Sequence, residues 1–233
     1  MKQKETLLNT PEINQHHEHV GDSHASFSLE TPLRADAFEL DDDLKIELIE
    51  KHFKEIMQIL GLDLTDDSLK GTPHRVAKMY VKEIFAGLNP KNAPEVKLFE
   101  NKYQYKNMLV EKNISFHSTC EHHFVSIIGK AHVAYIPNGR VVGLSKLNRI
   151  VRHFARRPQV QERMTIQIAN MLKETLGTND VAVLIEADHL CVASRGVQDA
   201  TSNTITAEYC GKFVDMKTRE EFLKYIVVDN MHK

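Results

Sequence analysis

The chain has 233 residues, 42% of them hydrophobic, and its 30 Lys plus Arg against 32 Asp plus Glu leave a formal net charge of -2. That length buries a real core without a staple, and the near balance of charge speaks against nucleic acid as the main ligand. No apolar export segment opens the sequence and nowhere do about 18 apolar residues run together, so the expectation is a cytoplasmic protein without a membrane span.

Residues 1 to 38 are polar, include Pro11 and Pro32 and carry no hydrophobic period, as in a disordered tail; His16, His17, His19 and His24 are read as solvated tail residues. A helical region is expected from 39 to 100. In "DDDLKIELIEKHFKEIMQILG" acidic residues crowd the start, Leu48, Ile49, Phe53, Ile56, Met57 and Leu60 recur at helical spacing, and Gly61 supplies a stop. "TPHRVAKMYVKEIFAG" follows as a second helix, with Thr72 as N-cap, Pro73 in the first turn, a buried stripe of Val76, Met79, Tyr80 and Ile84, and Gly87 as its end.

From about residue 106 the period becomes strand-like. "NMLVEKNISFHS" and "FVSIIGKAHVAYIP" are expected to pair antiparallel, with a turn at "PNG". "LSKLNRIVRHFARR" and "PQVQERMTIQIANMLKETLG" then give two helices, broken near Pro158 and stopped at Gly177. "DVAVLIEADHLCVA" and "TITAEYCGKFV" return to strands before a short last helix from about Thr218. The order of elements implies an α+β domain over 101 to 233 with an antiparallel sheet, preceded by the helical N-terminal region.

Chemistry concentrates in "HSTCEHHF", residues 117 to 124, which holds one cysteine and three histidines. Three cysteines in all, Cys120, Cys191 and Cys210, are too few and too widely spaced for a secreted disulfide framework, and are read as reduced thiols. Cys120 and His123 have the C-x-x-H interval that lets a tight turn aim both at one ion. Placed on a strand, Cys191 would share its face with His189 two residues earlier. Convergence of the four favours zinc over magnesium or calcium. Spacing alone leaves open a closed Cys2His2 staple, a Cys120–Cys191 disulfide, and metal-free buried side chains. Cys210 is read as a buried strand residue.

In "GLSKLNRIVRHFARR", Leu144, Leu147, Ile150, Val151 and Phe154 mark the buried stripe, while Lys146 and Arg149 project from the first turn behind Ser145. Free N–H groups at a helix start plus two cations suit a phosphate, although a solvated basic helix has the same pattern. Arg195 adds a cation four residues after Cys191. Glu162 is either a surface residue or a partner for the N1–H and 2-amino edge of guanine, which adenine lacks.

Together "GTPHRVAKMYVKEIFAGL", "STCEHHF", "GLSKLNRIV", "RPQVQERMT" and "EADHLCVASRGV" resemble, in order from about residue 45 to the C-terminus, the signature segments of the zinc-dependent GTP cyclohydrolase I family. The resemblance implies the tunnelling fold, an antiparallel four-stranded sheet with two helices on one face. It also implies hydrolytic opening of the guanine ring of GTP, release of C8 as formate, and closure to 7,8-dihydroneopterin triphosphate, the entry to folate or tetrahydropterin cofactors. Carried over by position, zinc falls to Cys120, His123 and Cys191, acid–base roles to His122 and His189, and assistance in the rearrangement to Ser145. Substrate contacts fall to Gln161, Glu162, Lys146, Arg149 and Arg195, with Arg75 and Lys78 supplied by a neighbouring subunit. The expected assembly is a homodecamer of two stacked pentamers, with active sites between subunits. The alternatives are another tunnelling-fold enzyme acting on a pterin or deazapurine, and a non-enzymatic zinc-stapled binding module.

Overall fold

The structure, a computed structural model, describes residues 28 to 227. His16, His17, His19 and His24 lie outside the described residues. α1 (Asp42–Ile59) begins where the Asp41 carboxylate accepts a hydrogen bond from Leu44 N at 2.8 Å, and Asp42 and Asp43 set negative charge against the positive end of the helix dipole. Of its apolar repeat only Met57 is buried, joined by Ile46; Leu48, Ile56 and Leu60 stay exposed in the single chain.

α2 (Thr72–Met79) packs on α1 and departs from expectation at both ends. Gly71 is the capping position, so Thr72 sits inside the first turn and its hydroxyl accepts from Arg75 Nη2 at 2.8 Å. Rather than continuing as one helix to Gly87, the chain widens into a π-helical turn at Tyr80–Ile84 and tightens into a 3-10 turn at Ala86–Leu88. A tertiary contact competes with the helix here. Gly87 donates its N–H to Arg156 O at 2.9 Å, and a Cβ on it would lie 2.1 Å from the His153 carbonyl oxygen. Only glycine permits that approach.

β1 (Leu98–Glu100) and β4 (Arg140–Val142) form a small antiparallel ribbon, tying the segment before residue 101 to the part after it. The main sheet runs in the order β5 (Pro158–Gln159), β2 (Leu109–Cys120), β3 (Ser126–Tyr135), β6 (Val181–His189), β7 (Thr204–Tyr209). Its four long strands pair antiparallel, from Leu109 opposite Tyr135 to Thr119 opposite Ser126 across the first pair. This is the antiparallel four-stranded sheet of the tunnelling fold. Sequence reasoning did not foresee β5, where Thr119 and Cys120 pair in parallel with Pro158 and Gln159.

α3 (Leu144–Ala155) and α4 (Gln161–Leu176) cover one face. Leu147, Ile150, Val151 and Phe154 from α3 and Met164, Ile168, Leu172 and Leu176 from α4 meet Ile127, Val133, Val183 and Ile185 of the sheet. Each such side chain contributes roughly 1.5–3 kcal/mol by leaving water. Leu144, expected in that stripe, is 51% exposed because it occupies the first helical position, ahead of the part of α3 that lies on the sheet. α4 ends as expected on Gly177, in the left-handed conformation at φ 62. On the opposite face Ala134, Ala182 and Leu184 pack with Phe213 and with Phe222 of α6 (Met216–Val227). Cys210, just past β7, is half-buried rather than buried. No described helix is long and apolar enough to cross a membrane.

Candidate metal centre and active site

β2 ends at Cys120, and the turn that follows closes with Phe124 N donating to Cys120 O and Cys120 N to Val125 O, both at 2.9 Å. Phe124 takes a positive φ of 54 to complete it. This tight return carries His123 back toward Cys120. The third member arrives differently from the strand geometry expected of it. β6 stops at His189, and Cys191 lies in α5 (Leu190–Ala193), a single helical turn. The sheet's two-residue alternation therefore does not govern the 189/191 pair.

The ligand atoms of Cys120, His123 and Cys191 all lie within 4.8 Å of one another, so this group could hold a metal ion. Cys120 is buried, Cys191 half-buried and His123 exposed, which leaves the group open on one side. Both cysteines are free thiols, so the disulfide alternative is not formed. Burial pushes the Cys191 thiol up, the neighbouring Cys120 pushes it further, and Arg195 acts in the opposite sense. That donor set, two sulfurs and an imidazole, suits a soft or borderline metal.

His122 points its Nδ1 to within 3.7 Å of Cys120 Sγ. His189 does not join the Cys–His–Cys group; its Nε2 lies 2.7 Å from Gln161 Oε1. Burial lowers its basicity, while the charges of Glu162 and Asp188 raise it. Glu162, on the first turn of α4, is exposed and close enough to His189 to act on it. Gln161, expected as a substrate contact beside it, is 1% exposed with its amide turned inward.

Of the phosphate candidates, Arg195 is close enough to Cys191 to act on its thiol, and the others lie on α3 and α2. Ser145 is exposed in the first turn of α3, and Lys146 Nζ donates to Glu95 O at 2.7 Å. Arg149 lines a cavity of about 490 Å³ with Arg152, Arg156, Lys82 and His153. Burial and the Arg157 guanidinium hold His153 down at about 4. Arg75, at the start of α2, donates to Ser68 O and Thr72 Oγ1, and Lys78 is exposed.

Sequence reasoning missed a buried polar support under the metal turn. Arg163, 3% exposed, pairs with Glu121 and donates to Gln159 Oε1 and Pro158 O, each at 3.0 Å. Glu121 N in turn donates to Gln159 O at 3.0 Å. The available signal was a carboxylate lodged between two candidate ligands, with Gln159 and Arg163 four residues apart.

An antiparallel sheet backed by two helices, with a Cys–His–Cys group at the end of β2 that could hold a metal ion and a carboxylate on the first turn of α4 close to His189, defines a tunnelling-fold protein. The chain belongs to the GTP cyclohydrolase I family, whose sequence model matches residues 49–227. It is 60% identical over 210 residues to GTP cyclohydrolase 1 of Flavobacterium johnsoniae, covering 90% of this chain and 94% of that protein. It is 54% identical over 217 residues to GTP cyclohydrolase 1 of Salmonella choleraesuis, covering 93% and 98%.

Proposed function

We propose that this chain hydrolyses and rearranges GTP to 7,8-dihydroneopterin triphosphate and formate, with zinc held by Cys120, His123 and Cys191. The carrying observation is the convergence of the Cys120, His123 and Cys191 ligand atoms, in a member of the GTP cyclohydrolase I family, with His189 two residues before Cys191 and under the charge of Glu162 on the first turn of α4. When bound, zinc supplies the Lewis acidity that lets water attack the guanine C8 near neutral pH. The chain's own residues do the rest. The Glu162 carboxylate accepts from N1–H and the 2-amino group of guanine, so ATP is rejected. His122 and His189 move protons to and from the purine nitrogens and the attacking water. Ser145, Lys146, Arg149 and Arg195 contact triphosphate and ribose, Ser145 assisting the rearrangement, and Arg75 and Lys78 of a neighbouring copy complete that end.

The assembly proposed is a homodecamer of two pentamers. Two features support association: among the described residues β7 pairs only with β6 and the outer edge of β2 is paired only at Thr119 and Cys120, leaving two edges able to join; and α1 keeps Leu48, Ile56, Ile59 and Leu60 exposed. Incubation of the purified protein with GTP or ATP, followed by formate and pterin assays, tests the reading. Formate and dihydroneopterin triphosphate from GTP alone are expected. A different pterin or deazapurine product would assign another tunnelling-fold activity, and absence of turnover by zinc-loaded oligomer would reject catalysis on GTP.

A further inference from the structure

Gln161 is the first residue of α4, and its side chain is enclosed. Its amide nitrogen lies 3.2 Å from Ile185 O, 3.0 Å from Thr204 O and 3.1 Å from Thr206 Oγ1. Carbonyl oxygens only accept, so the nitrogen must face them; turned the other way, Oε1 would meet two further acceptors with no hydrogen between. The hydroxyls agree with this orientation. Thr165 Oγ1 donates to Gln161 O at 2.8 Å, so the 2.7 Å contact between the two threonine hydroxyls is a donation from Thr206 to Thr165. Thr206 Oγ1 is then left to accept from the Gln161 amide.

Oε1 of Gln161 therefore faces His189 Nε2, 2.7 Å away, and an amide oxygen cannot donate. The hydrogen in that contact has to belong to the imidazole. We propose that Gln161 is a positioning residue that holds His189 with its hydrogen on Nε2, so that any proton His189 takes from substrate or water is taken at Nδ1. The proposal rests on the catalytic reading of His189 given above. The exchange balances: Nδ1 gains the proton, the ring becomes imidazolium with Nε2–H still bonded to Gln161, and Nδ1 later returns the proton. With both amide hydrogens directed inward, Gln161 itself has no donor left for substrate.

Neutron diffraction from metal-loaded crystals exchanged into D2O reads the arrangement without reference to turnover, and so separates this proposal from the assignment of the reaction. Deuterium on His189 Nε2 directed at Gln161, with the two amide deuteriums shared among Ile185 O, Thr204 O and Thr206 Oγ1, is expected. Deuterium on Nδ1 with Nε2 bare would overturn the proposal whether or not GTP is the substrate. In kinetics, Gln161→Met keeps the length but removes the acceptor, and kcat should fall about tenfold or more with the KM for GTP and the metal content little changed. Gln161→Glu, as the neutral acid, still accepts from Nε2–H and donates to Thr204 O, and should recover most of kcat. A raised KM at unchanged kcat in Gln161→Met would instead make the residue a substrate contact. Should Gln161→Met fail to fold, the neutron result on the unaltered protein decides alone.

Discussion

The sheet with α3 and α4 and the α1–α2 pair reach opposite ends of folding from sequences of similar apolar content. In the first, Leu147, Ile150, Met164 and Ile168 close completely over Ile127, Val133 and Ile185. In the second, Ile46, Met57, Pro73 and Ala77 are the buried residues of two helices, and Ile59 and Leu60 are 84% and 71% exposed. A single chain thus finishes one region and leaves the other with an unanswered apolar face. A hydrophobic period announces a surface to be covered, without saying whether the same chain covers it.

The largest effects should fall on the centre that the finished region carries. Cys120→Ala and His123→Ala should each lose metal and GTP turnover together, whereas His122→Ala should keep metal and slow by roughly a hundredfold or more. Metal content per chain, measured beside formate release, separates the two groups, and zinc retained in His123→Ala would break the ligand assignment. Next, Ile185→Ala in the closed core should cost about 2–5 kcal/mol in denaturant unfolding. A cost near zero would mean that the core is less filled than its burial indicates.

The seam between the regions supplies a pH effect. His153, packed by Gly87, is held at about 4, below the ordinary 6.5. The unfolded chain therefore binds more protons than the folded one between those values. Stability from this residue is complete above about 6.5 and is lost as pH falls toward about 4, by an amount on the order of 3 kcal/mol. His153→Gln should flatten that slope in urea titrations run at several pH values; an unchanged slope would assign it elsewhere. In the unfinished region, Asp41→Ala should remove about 1 kcal/mol with the N-cap bond to Leu44. Smallest of all, Ile59→Ser should stay within about 0.5 kcal/mol if the helix end faces water. A larger, concentration-dependent loss would show that other copies bury it.

Elements with their own pattern or punctuation were legible in the sequence: the strand-like runs of the four long strands, Gly177 as a helix stop, and "CEHH" as a turn carrying ligand types. What escaped depends on contacts distant in sequence. Two residues have no period, so β5 exists only because Cys120 lies beside Gln159. The apolar run of "DVAVLIEADHLCVA" reads as a strand through Cys191, yet the strand stops at His189 and a helical turn takes over. Gln161 and Glu162 are adjacent and both polar, and only the packing of Ile185, Thr204 and Thr206 turns one inward while its neighbour stays exposed.

The wide turn at Tyr80–Ile84 has a further consequence as a setting of phase. A π turn holds one residue more than an α turn, and each residue turns a helix by about 100°. Anchored downstream by Gly87 on Arg156, the helix before that turn has its angular position fixed by the added residue. Deleting one residue between Tyr80 and Ile84 would let the segment relax into regular helix and swing Arg75 and Lys78 by roughly a quarter turn around its axis. The direction in which those two cations face thus depends on a count of residues several positions away, in addition to the bonds Arg75 makes to Ser68 and Thr72.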